Sequence, residues 1–344
     1  MPRTLSIAAV RMDANPAPLE SRLERANALI SRAVKQAAQL VVLPEVFNTG
    51  YEYTVQNYQL AEPLDGRTVS WMREVSREQG IYLAGSLLVR EADGIYNAML
   101  LVAPDGRLWR YDKSYPWAWE RAYFRPREKP VQVAETDFGK IGMLICWDVA
   151  HANLWAKYAG KIDLFVSSSC PPLVHKLNIH FPDGKIVHSK ELGKLFQLAY
   201  RDADKTFGEF YLQQARWLGV PSVNTTGAGL FQSHFPQPKM TTTAFFAARP
   251  DLWKYISQAE KIIISTGYFD STFIADANGN ALAQTTLDGD DLALATVQLA
   301  DQTPLPVLPQ PKFGLSGLTY LVDAAVNAAF KNYYDLRWRG QQTD

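Results

Sequence analysis

The chain has 344 residues, and its 35 basic side chains are balanced by 35 acidic ones, so no net charge favours nucleic acid or an anionic membrane surface. Hydrophobic content of 47% can fill one large core, and no Gly/Ser linker or compositional break divides the chain. Leu5–Val10 is too short an apolar run for a signal peptide, no run approaches membrane-spanning length, and only Cys146 and Cys170 are cysteines. The expectation is a cytoplasmic protein that binds neither nucleic acid nor membrane.

In chain order, residues 4–10 read as a strand. Leu19, Leu23, Ala26, Ile30, Ala33, Val34 and Ala37 mark one face of a helix. Residues 40–43 form a short strand, 69–79 a helix stopped by Gly80, and 81–90 and 95–103 two strands, with Pro104-Asp105-Gly106 turning into a third. Strands at 131–135 and 140–146 flank Phe138-Gly139. A helix over 151–159, a strand over 162–167, a helix over 210–218 and a strand over 220–225 follow, and Asn278-Gly279 sets a hairpin. Mixed strands with helices able to cover one face predict an α/β fold of two facing sheets with helices outside.

Three polar residues close strand-like runs. Cys146 ends Lys140-Ile141-Gly142-Met143-Leu144-Ile145-Cys146, where a thiol at a strand-to-helix turn faces a pocket and nearby N–H groups can hold negative charge. A buried apolar cysteine is the plain alternative. Glu45 follows Val41-Val42-Leu43-Pro44, and a carboxylate there is partly desolvated, which suits it to act as a base; a solvated loop glutamate is the alternative. Lys113, among aromatics in Arg110–Pro116, offers a fixed positive charge or merely a snorkelling side chain.

Glu, Lys and Cys in this order resemble the nitrilase superfamily of carbon–nitrogen hydrolases. The matching segments are Leu43-Pro44-Glu45, Tyr111-x-Lys113, Gly142-x-x-Ile145-Cys146-Trp147-Asp148, and Trp119-Glu120-Arg121-x-Tyr123-Phe124, which is similar to the segment carrying a second active-site glutamate. Four segments in order are specific where one alone is weak. Gln214-Ala215-Arg216, Val223–Gly227 and Ser271–Ala283 extend the resemblance, which runs from about residue 4 to about residue 300 with one interruption. It implies a single-domain α-β-β-α sandwich, with a C-terminal extension over 301–344, often paired into homodimers or larger homo-oligomers.

The resemblance also implies roles. Glu45 takes the thiol proton of Cys146, Lys113 and the Trp147 N–H steady the developing oxyanion, and Glu120 orients the substrate or the base. No metal or organic cofactor is required. Trp147-Asp148 is similar to amidase and carbamoylase branches, whereas nitrile-active members usually carry Trp-Glu. A small carboxamide is therefore the expected substrate, with a nitrile or an N-carbamoyl compound as alternatives. No arginine follows Asp148 to clamp a substrate carboxylate, which favours a neutral amide. A non-catalytic scaffold relative is the contrasting class.

Tyr51, Trp117 and Trp147 are candidates for the pocket wall, while Trp119 reads as packing. The interruption, about 171–208, reads as a surface excursion serving as a lid or an intersubunit contact. Within it and beside it, Cys170, His175, His180 and His188 do not match paired zinc-ligand spacing. His151, five residues beyond Cys146, is expected on a helix facing elsewhere. Leu318, Leu321, Val322, Ala325, Ala328, Ala329, Tyr333 and Leu336 predict an amphipathic helix in the tail, packed on a partner or on its own domain.

Overall fold

A computed structural model describes residues 3–127, 131–200, 203–306 and 309–340; residues 201–202 of the interruption and 341–344 of the predicted tail lie outside this set. Strand Arg3–Asp13 is the axis of the first sheet. It pairs antiparallel with Asp291–Leu299 and parallel with Leu40–Val42, and the sheet continues through Tyr82–Glu91, Gly94–Val102 and Leu108–Asp112. The second sheet runs Ala281–Gln284, Phe273–Ala275, Ser222–Thr225, Leu164–Ser168, Gly139–Ile145 and Val133–Thr136.

Strand alternation decides what each layer touches. Leu5, Ile7, Ala9, Leu40 and Val42 share a core with Ile141, Met143 and Ile145 of the other sheet. Their neighbours Ala8, Val10, Val41 and Leu43 point the other way, against Leu23, Ala26 and Ile30 of helix Leu19–Val34 and Val69, Met72 and Val75 of helix Arg67–Gln79. On the far side of the second sheet, Trp155 of helix Ala152–Tyr158 stacks on Phe165 at 4.2 Å and meets Tyr211 of helix Glu209–Leu218 edge-on. Gly142 is required there, since a Cβ would lie 3.0 Å from the Tyr158 ring and 2.8 Å from Ile162. The four layers are those of an α-β-β-α sandwich, as the strand pattern predicted. Helix Leu19–Val34 stops short of Ala37, which sits at φ 62 in the following turn.

The interruption is not a surface excursion. Its hairpin Asn178–His180 and Ile186–His188 joins Ile263–Gly267 and Leu230–His234 in a third, antiparallel sheet of four strands, and Leu177, Ile179, Phe181 and Val187 are buried. Two segments far apart in sequence thus build one subassembly, and the second was not anticipated. No helix among the described residues is long and apolar enough to cross a membrane.

The C-terminal helix, Gly317–Gly340, docks on its own domain. Thr319, Phe330 and Tyr334 are buried, and the Tyr334 hydroxyl accepts the Ile95 N–H at 2.8 Å. The buried face is therefore rotated from the predicted one: Leu321 and Leu336 remain 67% and 71% exposed. The inward surface is set by aromatic and polar anchors, which a purely apolar pattern does not register. Trp155→Ala, which empties the centre of the outer helix layer, is expected to lower unfolding stability by about 3–5 kcal/mol, read as a reduced denaturant midpoint at unchanged slope.

Candidate active site

Glu45, Lys113 and Cys146 each lie just beyond the C-terminal end of a strand: Leu40–Val42, Leu108–Asp112 and Gly139–Ile145. The first two strands run in the same direction in one sheet, because Leu108–Asp112 is two antiparallel pairings away from a strand parallel to Leu40–Val42. Pro44 ends one ladder, and Glu45 turns inward. Its backbone N–H donates to the Ser169 carbonyl of the second sheet at 3.3 Å. Val46 and Cys146 occupy the left-handed region, at φ 45 and 46, a conformation that non-glycine residues hold only where surrounding contacts enforce it.

The centre is a buried ammonium between two carboxylates. Lys113 Nζ donates to Glu45 Oε1 at 2.8 Å and to Glu120 Oε2 at 2.6 Å, and all three side chains are buried. Glu45 also accepts from Asn97 Nδ2 at 2.7 Å and from the Cys170 N–H at 3.0 Å. Glu120 accepts from the Tyr51 hydroxyl at 2.7 Å and from the Trp117 N–H at 2.7 Å. Burial alone would lower the Lys113 pKa, but Glu120 and Glu45 hold it well above its ordinary value. Burial raises the Glu120 pKa, against the pull of Lys113 and of the Tyr51 hydroxyl. The neighbouring guanidiniums of Arg121 and Arg125 donate instead to the Phe124 and Asp93 carbonyls.

Cys146 is 4% exposed. Burial and the Glu45 charge push its pKa well above that of a free thiol, while Lys113 pulls it down. The thiol opens onto a cavity walled by Tyr51, Trp117, Trp147, Tyr200, Phe207 and Phe269, among others. The three predicted wall residues all line this cavity together with Cys146. Pro171, Pro172, Val174 and His175 of the interruption close it from above, so this segment covers the thiol. No Lys or Arg lines the cavity among the described residues.

Two aspartates that motif reasoning did not assign hold the pieces in register. Asp148 accepts from the Tyr115 N–H at 2.7 Å, the Tyr111 hydroxyl at 2.9 Å and the Ser114 N–H at 3.2 Å, which pins the loop carrying Lys113 to the turn carrying Cys146. Its pKa is pushed up to about 7 by burial. Asp323, on the C-terminal helix, accepts from the Ala118 N–H at 2.7 Å and from Trp147 Nε1 at 3.2 Å. Asp148 was visible beside Cys146 in sequence; Asp323 and Asn97 carried no local signal.

The competing constellations do not assemble. Among the described residues, no three His, Cys, Asp or Glu side chains gather as metal ligands. His180 and His188 are instead within hydrogen-bond distance of Ser265 and Asn178. His151 stacks on Tyr115 at 3.6 Å and meets Trp147 edge-on, and burial lowers its pKa to about 3. Trp119 is buried against Tyr53, Phe235 and Phe245, as packing predicted. Both cysteines are free.

Two predictions follow from the aspartate clamps. Asp148→Ala leaves several buried donors unpaired and is expected to cost about 2–4 kcal/mol of stability, measured by chemical denaturation. Burial raises the Asp323 pKa to about 6, above the unfolded value of about 3.9. The folded state then binds the extra proton, and this contribution is complete below about pH 3.9 and lost as pH rises through about 6. Asp323→Asn should flatten the fall in melting temperature across that window; an unchanged slope would exclude the assignment.

Comparison with known proteins places these features in context. Residues 6–176 match the family model described as carbon-nitrogen hydrolase. The chain is 31% identical over 147 residues to a nitrilase of Pyrococcus abyssi and 33% identical over 156 residues to an omega-amidase of Xenopus laevis. Each alignment covers 42% of this chain and 56% of the relative, so the chain spans little more than half the length of these relatives. In fold it is similar to a Saccharomyces cerevisiae member of branch 10 of the nitrilase superfamily (TM-score 0.61, 19% identity, 86% of this chain and 90% of that one). It is also similar to the amidase from Nesterenkonia sp. AN1 (TM-score 0.60, 18% identity, 87% and 94%).

Proposed function

We propose that the chain, whose residues 6–176 match the carbon-nitrogen hydrolase family model, is a thiol-dependent amidase cleaving a small neutral carboxamide to a carboxylic acid and ammonia. The observation that carries the reading is the Lys113 ammonium held by Glu45 and Glu120 beside a thiol that opens into an apolar cavity. A scaffold protein has no use for three buried ionised groups, whose desolvation costs several kcal/mol each.

Glu45 accepts the thiol proton as the sulfur attacks the carbonyl carbon, since the raised pKa of Cys146 leaves little thiolate at rest. Lys113 and the Trp147 N–H steady the oxyanion. Collapse breaks the C–N bond, and ammonia leaves with the proton that Glu45 had taken. Water then attacks the thioester, Glu45 receives its proton, and the acid departs as the thiol is restored. Glu120 does not reach for the base in this scheme; it fixes Lys113 and is itself fixed by Tyr51 and the Trp117 N–H.

The relatives' names divide between nitrilase and amidase, and the preference for an amide rests on Trp147-Asp148. An N-carbamoyl amino acid is disfavoured because no arginine follows Asp148 to clamp a substrate carboxylate. A cytoplasmic location and assembly into homo-oligomers belong to the same proposal, supported by two free thiols and by exposed Leu321 and Leu336.

Ammonia release should be observed with an amide panel, and turnover of nitriles alone would overturn the amidase reading. Cys146→Ala is expected to lower kcat/KM more than about 10³-fold. Lys113→Met should lower kcat by about 10²–10³-fold and destabilise the fold by about 3–5 kcal/mol, because it strands two buried carboxylates.

A further inference from the structure

A second apolar space lies next to the Cys146 cavity. It is a groove of about 890 Å³ walled by Leu192, Phe196, Phe245, Val322 and Val326, with Ala244, Ala247 and Ala248 along its rim. Trp117 and Tyr200 line both spaces, so a partition two side chains thick divides them. Neither wall carries an Asp, Glu, Lys or Arg side chain among the described residues.

The partition is held by backbone anchors on one side. The Trp117 N–H is bound by Glu120 and the Ala118 N–H by Asp323, with Ala118 at φ 38. Its other half comes from the interruption, where Tyr200 packs on Phe196 at 4.8 Å. The groove wall beyond Trp117–Trp119 is supplied by residues 192–200, 244–248 and 322–326, all downstream of the segment that matches the family model. The half of the chain not covered by that match thus builds a continuation of the reaction cavity.

We propose that the cavity and groove form one acyl channel, so that the preferred small amide carries an unbranched apolar acyl chain longer than that of butyramide, with its carbonyl at Cys146 and its tail beyond Trp117 and Tyr200. This rests on the amidase reading and specifies its substrate. The uncharged walls fit a hydrocarbon tail, whose burial is favourable for every methylene removed from water. The small alanines at the rim leave the far end open, so chain length is not capped by a closed wall.

The test is kcat/KM for straight-chain amides from butyramide to octanamide, with Ala244→Trp and Ala248→Trp as variants that fill the groove. Wild-type kcat/KM should climb by about threefold for each added methylene. Either variant should lower the octanamide-to-butyramide ratio by at least about tenfold, the cost of expelling two or more methylenes. A wild-type profile that falls beyond butyramide, or a ratio that neither variant changes, overturns the channel. Butyramide turnover separately reports the amidase reading. If no amide is hydrolysed, that reading fails, and calorimetric titration of Cys146→Ala protein with octanamide still decides the channel. Binding weakened by added Ala248→Trp supports it, whereas no binding, or binding that the added change leaves untouched, overturns it.

Discussion

The architecture depends on keeping one ammonium buried. Lys113 is fully enclosed, and only the carboxylates of Glu45 and Glu120 make that tolerable. Each carboxylate needs further donors, and the structure supplies them from separated places: Asn97, the Cys170 N–H, the Tyr51 hydroxyl and the Trp117 N–H. These partners come from strands, loops and a one-turn helix that share no sequence neighbourhood. Satisfying one buried charge therefore fixes the relative position of most of the cavity floor.

That network also explains why the two sheets must be held in one register. Lys113 leaves the first sheet and Cys146 the second, so a slide between the sheets would carry the thiol away from the ammonium. Asp148 prevents the slide, because its carboxylate sits on the turn after Cys146 while its donors belong to the loop after Lys113. Asp323 does the same from outside, holding Trp147 and Ala118 against the C-terminal helix. Backbone strain at Val46, Ala118 and Cys146 is concentrated at these joints, where contacts are dense enough to sustain it.

The second half of the chain converts this floor into a selective space. The segment after Cys170 lines the cavity at the thiol with Pro171, Pro172, Val174 and His175, and the C-terminal helix adds Thr319. Residues 192–200, 244–248 and 322–326 supply apolar side chains to the neighbouring groove. Trp117 stands where the cavity and the groove meet.

Much of this was legible before the structure. The apolar runs in residues 4–10, 81–90 and 95–103 mark the strands of the first sheet. Glu45, Lys113 and Cys146 announce themselves as polar residues closing apolar runs, and Glu120 by its aromatic context. Asn97 and Asp323 gave no such sign, because their importance lies in whom they meet across 52 and 176 residues of chain. The hairpin at 178–188 read as a loop for a similar reason: its strands are three residues each and gain stability only from pairing with 263–267. Local pattern decides element type and the identity of the reactive groups, since both follow from near neighbours and side-chain chemistry. The roof, the buried face of the last helix and the partners of each carboxylate were decided only in three dimensions, where desolvated charge and apolar area from remote segments have to be satisfied together.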